Sequence, residues 1–263
     1  MPAIPLPAAD ALADRTILIT GVNGGLGETL THACAKAGAQ VILVGRRLPK
    51  LTRLYDALVV EGARDPALYP MDLTGAAPDD YETLATSIGN ECGRLDGIVH
   101  CAAEFKGLAS LENMPLEDWF TGLHVNLTAP FLLTRACLGL LRQRQDASVL
   151  FLLDDPDRTT RAFWNSYGVA KQALRGLVST LHAELERSPV RVYGVQPGPM
   201  RTVLRSRAYF AEDPSQIPHP SAYAPACVAL LGPQGKAIPE AFVTLQPGIA
   251  KAPRPLGLTT ISR

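Results

Sequence analysis

The feature that most restricts the fold of this chain is an alternation. Short apolar runs are separated by longer amphipathic ones along nearly the whole sequence. An apolar run of this kind can be buried on both faces only in a parallel sheet covered by helices, and each such strand needs a crossover to return. Thr16–Thr20, Gln40–Val44, Ala67–Met71, Gly97–Cys101, Ser148–Leu153, Val190–Val195 and Ala241–Leu245 read as strands. Ser148–Leu153 is the most apolar of them, which predicts a central position. Helices are expected over about 25–37, with Gly38 as a C-cap, and over 49–61, 79–92, 115–143, 166–187 and 225–231. Pro130 should bend or break the long fourth one. Repeated βα units predict an α/β fold with helices on both faces of the sheet.

At 263 residues the chain suits one large domain, with its core at about 14–246. Acidic and basic residues balance at 25 each and are intermixed, so no nucleic acid or anionic membrane is expected as a partner. No apolar run approaches the length of a membrane span. The five cysteines are scattered, with no CxxC pair and no metal-ligand set; they read as small buried residues in a reducing, cytoplasmic compartment. Residues 1–9 and 247–263 are rich in proline and read as loose tails or as arms on a neighbouring subunit. Residues 199–224 lack periodicity and read as a loop or lid on the substrate side.

Thr20-Gly21-Val22-Asn23-Gly24-Gly25-Leu26-Gly27 falls between the first strand and the first helix. Glycines there permit positive φ and let the backbone approach a pyrophosphate, and the helix N-terminus adds unpaired N–H donors. In the first βα unit of such a chain, this predicts a dinucleotide and a Rossmann-type, doubly wound parallel sheet. The second strand ends in Gly45-Arg46-Arg47, with no carboxylate for a ribose 2′-hydroxyl. Two guanidiniums suit a 2′-phosphate, so NADP(H) is favoured over NAD(H). Asp72, followed by Leu73, could accept from an adenine amino group or cap the next helix.

Tyr167 and Lys171 are four residues apart at the start of the helix after the fifth strand, which puts them on one face. An ammonium near a phenol lowers its pKa, and the phenol could then exchange a proton with a carbonyl/alcohol pair.

With these motifs in this order, the chain resembles the short-chain dehydrogenase/reductase family over about 14–246. Thr20–Gly27 matches TGxxxGxG, Tyr167 and Lys171 match YxxxK, and Pro197-Gly198-Pro199-Met200-Arg201-Thr202 matches PGxxxT. The resemblance implies several roles. Asp72 would bind adenine, Thr202 would touch the nicotinamide amide, and Lys171 would also bind the nicotinamide ribose. Asn126 would hold a water in the proton relay. It implies a homodimer or homotetramer built on the two longest helices, and a small-molecule substrate.

Two departures stand out. The family's NNAG reads His100-Cys101-Ala102-Ala103, which affects a backbone contact to the ribose near Cys101 and Ala102. The family's catalytic serine is replaced by Asp154. An ionised Asp154 can only accept hydrogen bonds and would raise the phenol pKa, whereas a protonated one could donate. A register shift could instead bring in Thr159 or Thr160. These alternatives leave two functional readings: an NADP(H)-dependent oxidoreductase, or a cofactor-binding sensor or partner module without turnover. The loop 199–224 mixes apolar residues with Arg201, Arg205 and Arg207, which suits an apolar substrate with an anionic end and equally a lid folded on the core.

Overall fold

The structure, a computed structural model, describes residues 6–246 and 249–251. The first five elements alternate as β1 (Thr16–Thr20), α1 (Gly25–Lys36), β2 (Gln40–Gly45), α2 (Leu48–Val60) and β3 (Ala67–Pro70). They are followed by α3 (Pro78–Glu91), β4 (Gly97–His100), α4 (Leu116–Leu123), a π turn over His124–Thr128 and α5 (Ala129–Arg142). Then come β5 (Ala147–Leu152), the single turn α6 (Pro156–Thr159), α7 (Asn165–Glu184) and β6 (Val190–Gln196). The chain continues through α8 (Val203–Ala208), α9 (Ala224–Leu231), β7 (Phe242–Gln246) and β8 (Ile249–Lys251), with short 3₁₀ turns between.

The strands form one sheet in the order β3-β2-β1-β4-β5-β6-β7-β8. The seven strands β1 to β7 pair in parallel, and β8 returns antiparallel to β7. Strand residues alternate between two cores, as the period of two demands. Ile17, Ile19, Val41, Leu43 and Leu150 pack with α1, α2 and α9. Leu18, Ile42, Val44, Val149 and Phe151 pack with α3, α5 and α7. This is the doubly wound, single-domain fold predicted, with β5 wholly buried near the centre.

Several element ends move by one or a few residues, and three expectations are corrected. The long fourth helix is divided: the π turn precedes Pro130, which stands in the first turn of α5, where its missing N–H is tolerated. Residues 199–224 contain α8, capped by the Thr202 hydroxyl accepting from Arg205 N. The C-terminal segment begins with a strand, because β8 closes on the exposed edge of β7. The remaining tail residues, 1–5 and 252–263, lie outside those described. Leu12, just after the N-terminal tail, is fully buried and donates its N–H to Ala37 O. Among the described residues, no helix is long and apolar enough to cross a membrane.

Candidate active site

The sheet order reverses between β1 and β4, and in open parallel sheets the crevice beyond the strand ends at that point receives ligands. The register explains why distant motifs meet there. Thr20 is level with Val44 and His100, His100 with Phe151, and Leu152 with Val195. The residues that follow each strand therefore open on one cleft of about 450 Å³.

At its nucleotide end the wall is backbone. Gly21 has φ +70°, and a Cβ there would sit 2.6 Å from Ala102 Cα, so only glycine fits. A Cβ at Gly24 would meet nothing within 4 Å, and no side chain caps α1, so its first N–H groups face open space. Asn23 Oδ1 is buried there without a hydrogen-bond partner. An uncapped helix start, an open glycine turn and an orphaned polar atom fit a pyrophosphate and ribose. Gly25, Leu26, Gly27, Arg46, Arg47, Asp72, Leu73, Cys101 and Ala102 line the same cleft, as does Lys50, which sequence reasoning passed over. Thr20 does not line it. Its hydroxyl donates to Val99 O and accepts from Ala102 N, tying the ends of β1 and β4 together. Asp72 caps its own turn by accepting from Thr74 N, and Asp80 accepts from Ala77 N at the start of α3. The helix-cap alternative for Asp72 is thereby excluded.

The other end is built from side chains. Tyr167 is buried on the first turn of α7, and a strained backbone delivers it there. Phe163 has φ +74°, rare for a bulky residue, and Asn165 has φ +40°, which asparagine adopts more readily than most. Asn165 Nδ2 holds that turn by donating to Gly107 O at 2.8 Å. Phe105, Trp164 and Tyr167 form an aromatic cluster with Ala208 of α8, and Tyr209 closes on Trp164. Pro197, Gly198 and Thr202 complete the cleft from the far side.

The Tyr167 hydroxyl donates to Asp154 Oδ2 at 2.8 Å. The other carboxylate oxygen, Oδ1, accepts from Asp155 N and from Arg158 Nη2. The Asp154 carboxyl is thus engaged on both oxygens, Oδ1 by a backbone N–H and a guanidinium and Oδ2 by the phenol, in an ion pair with Arg158. The threonine alternative fails. Thr159 Oγ1 donates to Asp155 O and accepts from Gln172, and Thr160 donates to Pro156 O.

Lys171 is also buried, and Nζ donates to Leu152 O at 2.7 Å rather than to the phenol. Burial pushes its pKa down to about 8, against the attraction of Asp154. The Tyr167 phenol is held well above its ordinary value, first by burial and then by the charge and hydrogen bond of Asp154; Arg158 opposes. The lowering expected from Lys171 is not seen here; the cation that opposes the rise is Arg158. Asn126 stands apart from the cleft. Its Nδ2 donates to Glu104 O and Gly122 O while Oδ1 accepts from Glu104 N, which pins the loop after β4. Its main-chain carbonyl, however, has no N–H four residues on, because that residue is Pro130.

Sequence reasoning missed Arg158, Phe105 and Trp164. The spacing of four between Asp154 and Arg158 is a readable ion-pair signal on a helical turn. Phe105 and Trp164 carry no signal, since only the packing of two loops brings them to Tyr167.

The family profile of the short chain dehydrogenases matches residues 15–212. The uncharacterized oxidoreductase YciK of Escherichia coli K12 is 31% identical over 242 residues, covering 92% of this chain and 96% of its own. A short chain dehydrogenase structure from Pseudomonas syringae superposes with a TM-score of 0.87 at 37% identity, covering 91% of this chain and 98% of that one. Another, from Escherichia coli CFT073 and complexed with NADPH, gives 0.86 at 31% identity, with 91% and 98% covered. Sequence, fold and the convergence of motifs at one cleft agree: this chain belongs to the short chain dehydrogenase family.

Proposed function

We propose that this chain is an NADP(H)-dependent oxidoreductase acting on a carbonyl/alcohol pair, with Tyr167 as the proton-exchanging group. The observation that carries the proposal is the placing of a buried phenol and a buried ammonium on one face of α7, in the cleft whose other end is a glycine cradle. A bound nicotinamide supplies or accepts the hydride there. Tyr167 gives the substrate oxygen its proton, or removes it in reverse. Lys171 adds positive charge beside the phenol and is available to the nicotinamide ribose. Asn126 enters through its main-chain carbonyl, which has no N–H four residues on and can hold a relay water, and Thr202 can still donate its hydroxyl proton to the nicotinamide amide.

The preference for NADP(H) rests on Arg46 and Arg47 after β2 and on Lys50 in the first turn of α2. Among the described residues none of the three makes an ion pair, and all are exposed on the cleft. The NADPH complex of the structural relative supports it. Leu116 and Phe120 on α4, Phe131 on α5 and Val169 on α7 are exposed, which supports a homodimer or homotetramer through these helices. The five unpaired cysteines accord with a cytoplasmic setting.

The Tyr167–Asp154 hydrogen bond favours a second reading, a cofactor binder without turnover, because it holds the phenolic proton. Tyr167→Phe separates the two. It should lower kcat on a carbonyl panel by about 10²–10⁴-fold while NADPH binding, followed by cofactor fluorescence, stays within about a factor of three. A panel on which the native chain and the variant are equally inert would establish the second reading.

A further inference from the structure

With Asp154 restricted to accepting, the site lacks the donor that a serine would offer the substrate oxygen. We propose that Arg158 supplies it: the guanidinium edge that Asp154 leaves free donates to the substrate's carbonyl oxygen. This inference rests on the oxidoreductase reading above.

Three observations converge on Arg158. First, it shares a carboxylate with the reacting group. Tyr167 Oη and Arg158 Nη2 bind the two oxygens of Asp154, so phenol and guanidinium lie side by side at the cleft wall. Second, its hydrogen-bonding capacity is unfilled. Nε is buried with no acceptor, and among the described residues Nη1 makes no hydrogen bond. Third, the guanidinium plane is held. Its carbon lies 5.4 Å from the Trp164 ring centre and 5.9 Å from that of Tyr209, so it is preorganised rather than free in solvent.

The chemistry balances without a new reactant. As the C–H bond forms with hydride from the reduced nicotinamide, the C=O π pair moves onto oxygen. The proton that ends there comes from the Tyr167 hydroxyl. Arg158 stays protonated throughout and stabilises the oxygen by hydrogen bonding, the role of an oxyanion donor. Its charge also offsets that of Asp154 while the phenol gives up its proton. Asp154 then holds the phenol and Arg158 side by side, one on each carboxylate oxygen.

The test compares Arg158→Ala, Arg158→Lys and the double variant Asp154→Ser/Arg158→Ala on the carbonyl panel, beside Tyr167→Phe. Arg158→Ala should lower kcat by about 10²–10³-fold, the loss typical of one oxyanion donor, with NADPH binding unchanged. Added guanidinium, below denaturing concentration, should restore part of that loss. The double variant should exceed Arg158→Ala, because serine returns a donor and removes the unpaired charge. Arg158→Lys should fall between, since its ammonium cannot keep Asp154 and the substrate oxygen in one planar fork. If Arg158→Ala keeps its kcat, or is neither rescued by guanidinium nor improved by Asp154→Ser, the inference is wrong while the Tyr167 reading stands. If Tyr167→Phe is as active as the native chain, or nothing on the panel turns over, both fall.

Discussion

The two ends of the cleft are made differently. The nucleotide end, around β1, β2 and α1, is shaped by main chain: Gly21 against Ala102, open Gly24, an uncapped helix start. The substrate end, around β5, α6, α7 and α8, is shaped by side chains that touch across loops: Asp154, Arg158, Trp164 and Tyr209. A wall of backbone tolerates few residue types and performs one task. A wall of side chains can be rebuilt, and here it is organised around the Asp154–Arg158 ion pair. Variation in chemistry within such a fold should therefore concentrate at the second end.

The largest effect that can break this contrast is at Gly21. Gly21→Val places a branched side chain at φ +70° against the Ala102 backbone, and it should destabilise the fold by more than about 4 kcal/mol. Denaturant unfolding reads this directly; a loss below about 1 kcal/mol would mean that the wall is not rigid backbone.

His100 sharpens the contrast where the two ends meet. It is buried, stacked on Phe151 and bonded to Thr134, and burial pushes its pKa from 6.5 down to about 3. The folded chain keeps it neutral while the unfolded chain protonates it below pH 6.5. Its contribution to stability is therefore complete above that pH and is lost as pH falls toward about 3. The slope approaches about 1.4 kcal/mol per pH unit. His100→Asn should flatten that limb of a stability-against-pH curve; an unchanged slope would place the imidazole in contact with water.

The smallest effect concerns side chains at the backbone end. Replacing Arg46 and Arg47 together by alanine should weaken NADPH binding by about 10- to 100-fold, the worth of one or two charge-assisted contacts. NADH binding should change by less than about twofold. Equal losses for both cofactors would show that the arginines do not read the 2′-phosphate.

The same division explains what the sequence disclosed. The alternation of apolar runs sufficed for the sheet, because a buried parallel strand admits few alternatives, and the glycine turn was visible because glycine marks its own backbone geometry. Tyr167 and Lys171 were visible through helical spacing. The Asp154–Arg158 pair left only its spacing of four as a sign, on a single turn of helix, and Phe105 left none, since it arrives from 62 positions before Tyr167. The π turn was legible only as a proline that had to be accommodated. The strand β8 was hidden because three residues are too few to display a period.

The rim of the sheet has a consequence for how copies of this chain behave together. One border strand, β3, has four residues and ends at Pro70, which lacks an N–H; the other, β8, has three and runs against its neighbours. Among the described residues neither offers a long row of free peptide groups to a passing strand, which resists growth by edge-to-edge pairing. Crowding it should favour contacts through helical surfaces, leaving discrete particles instead of extended β fibres.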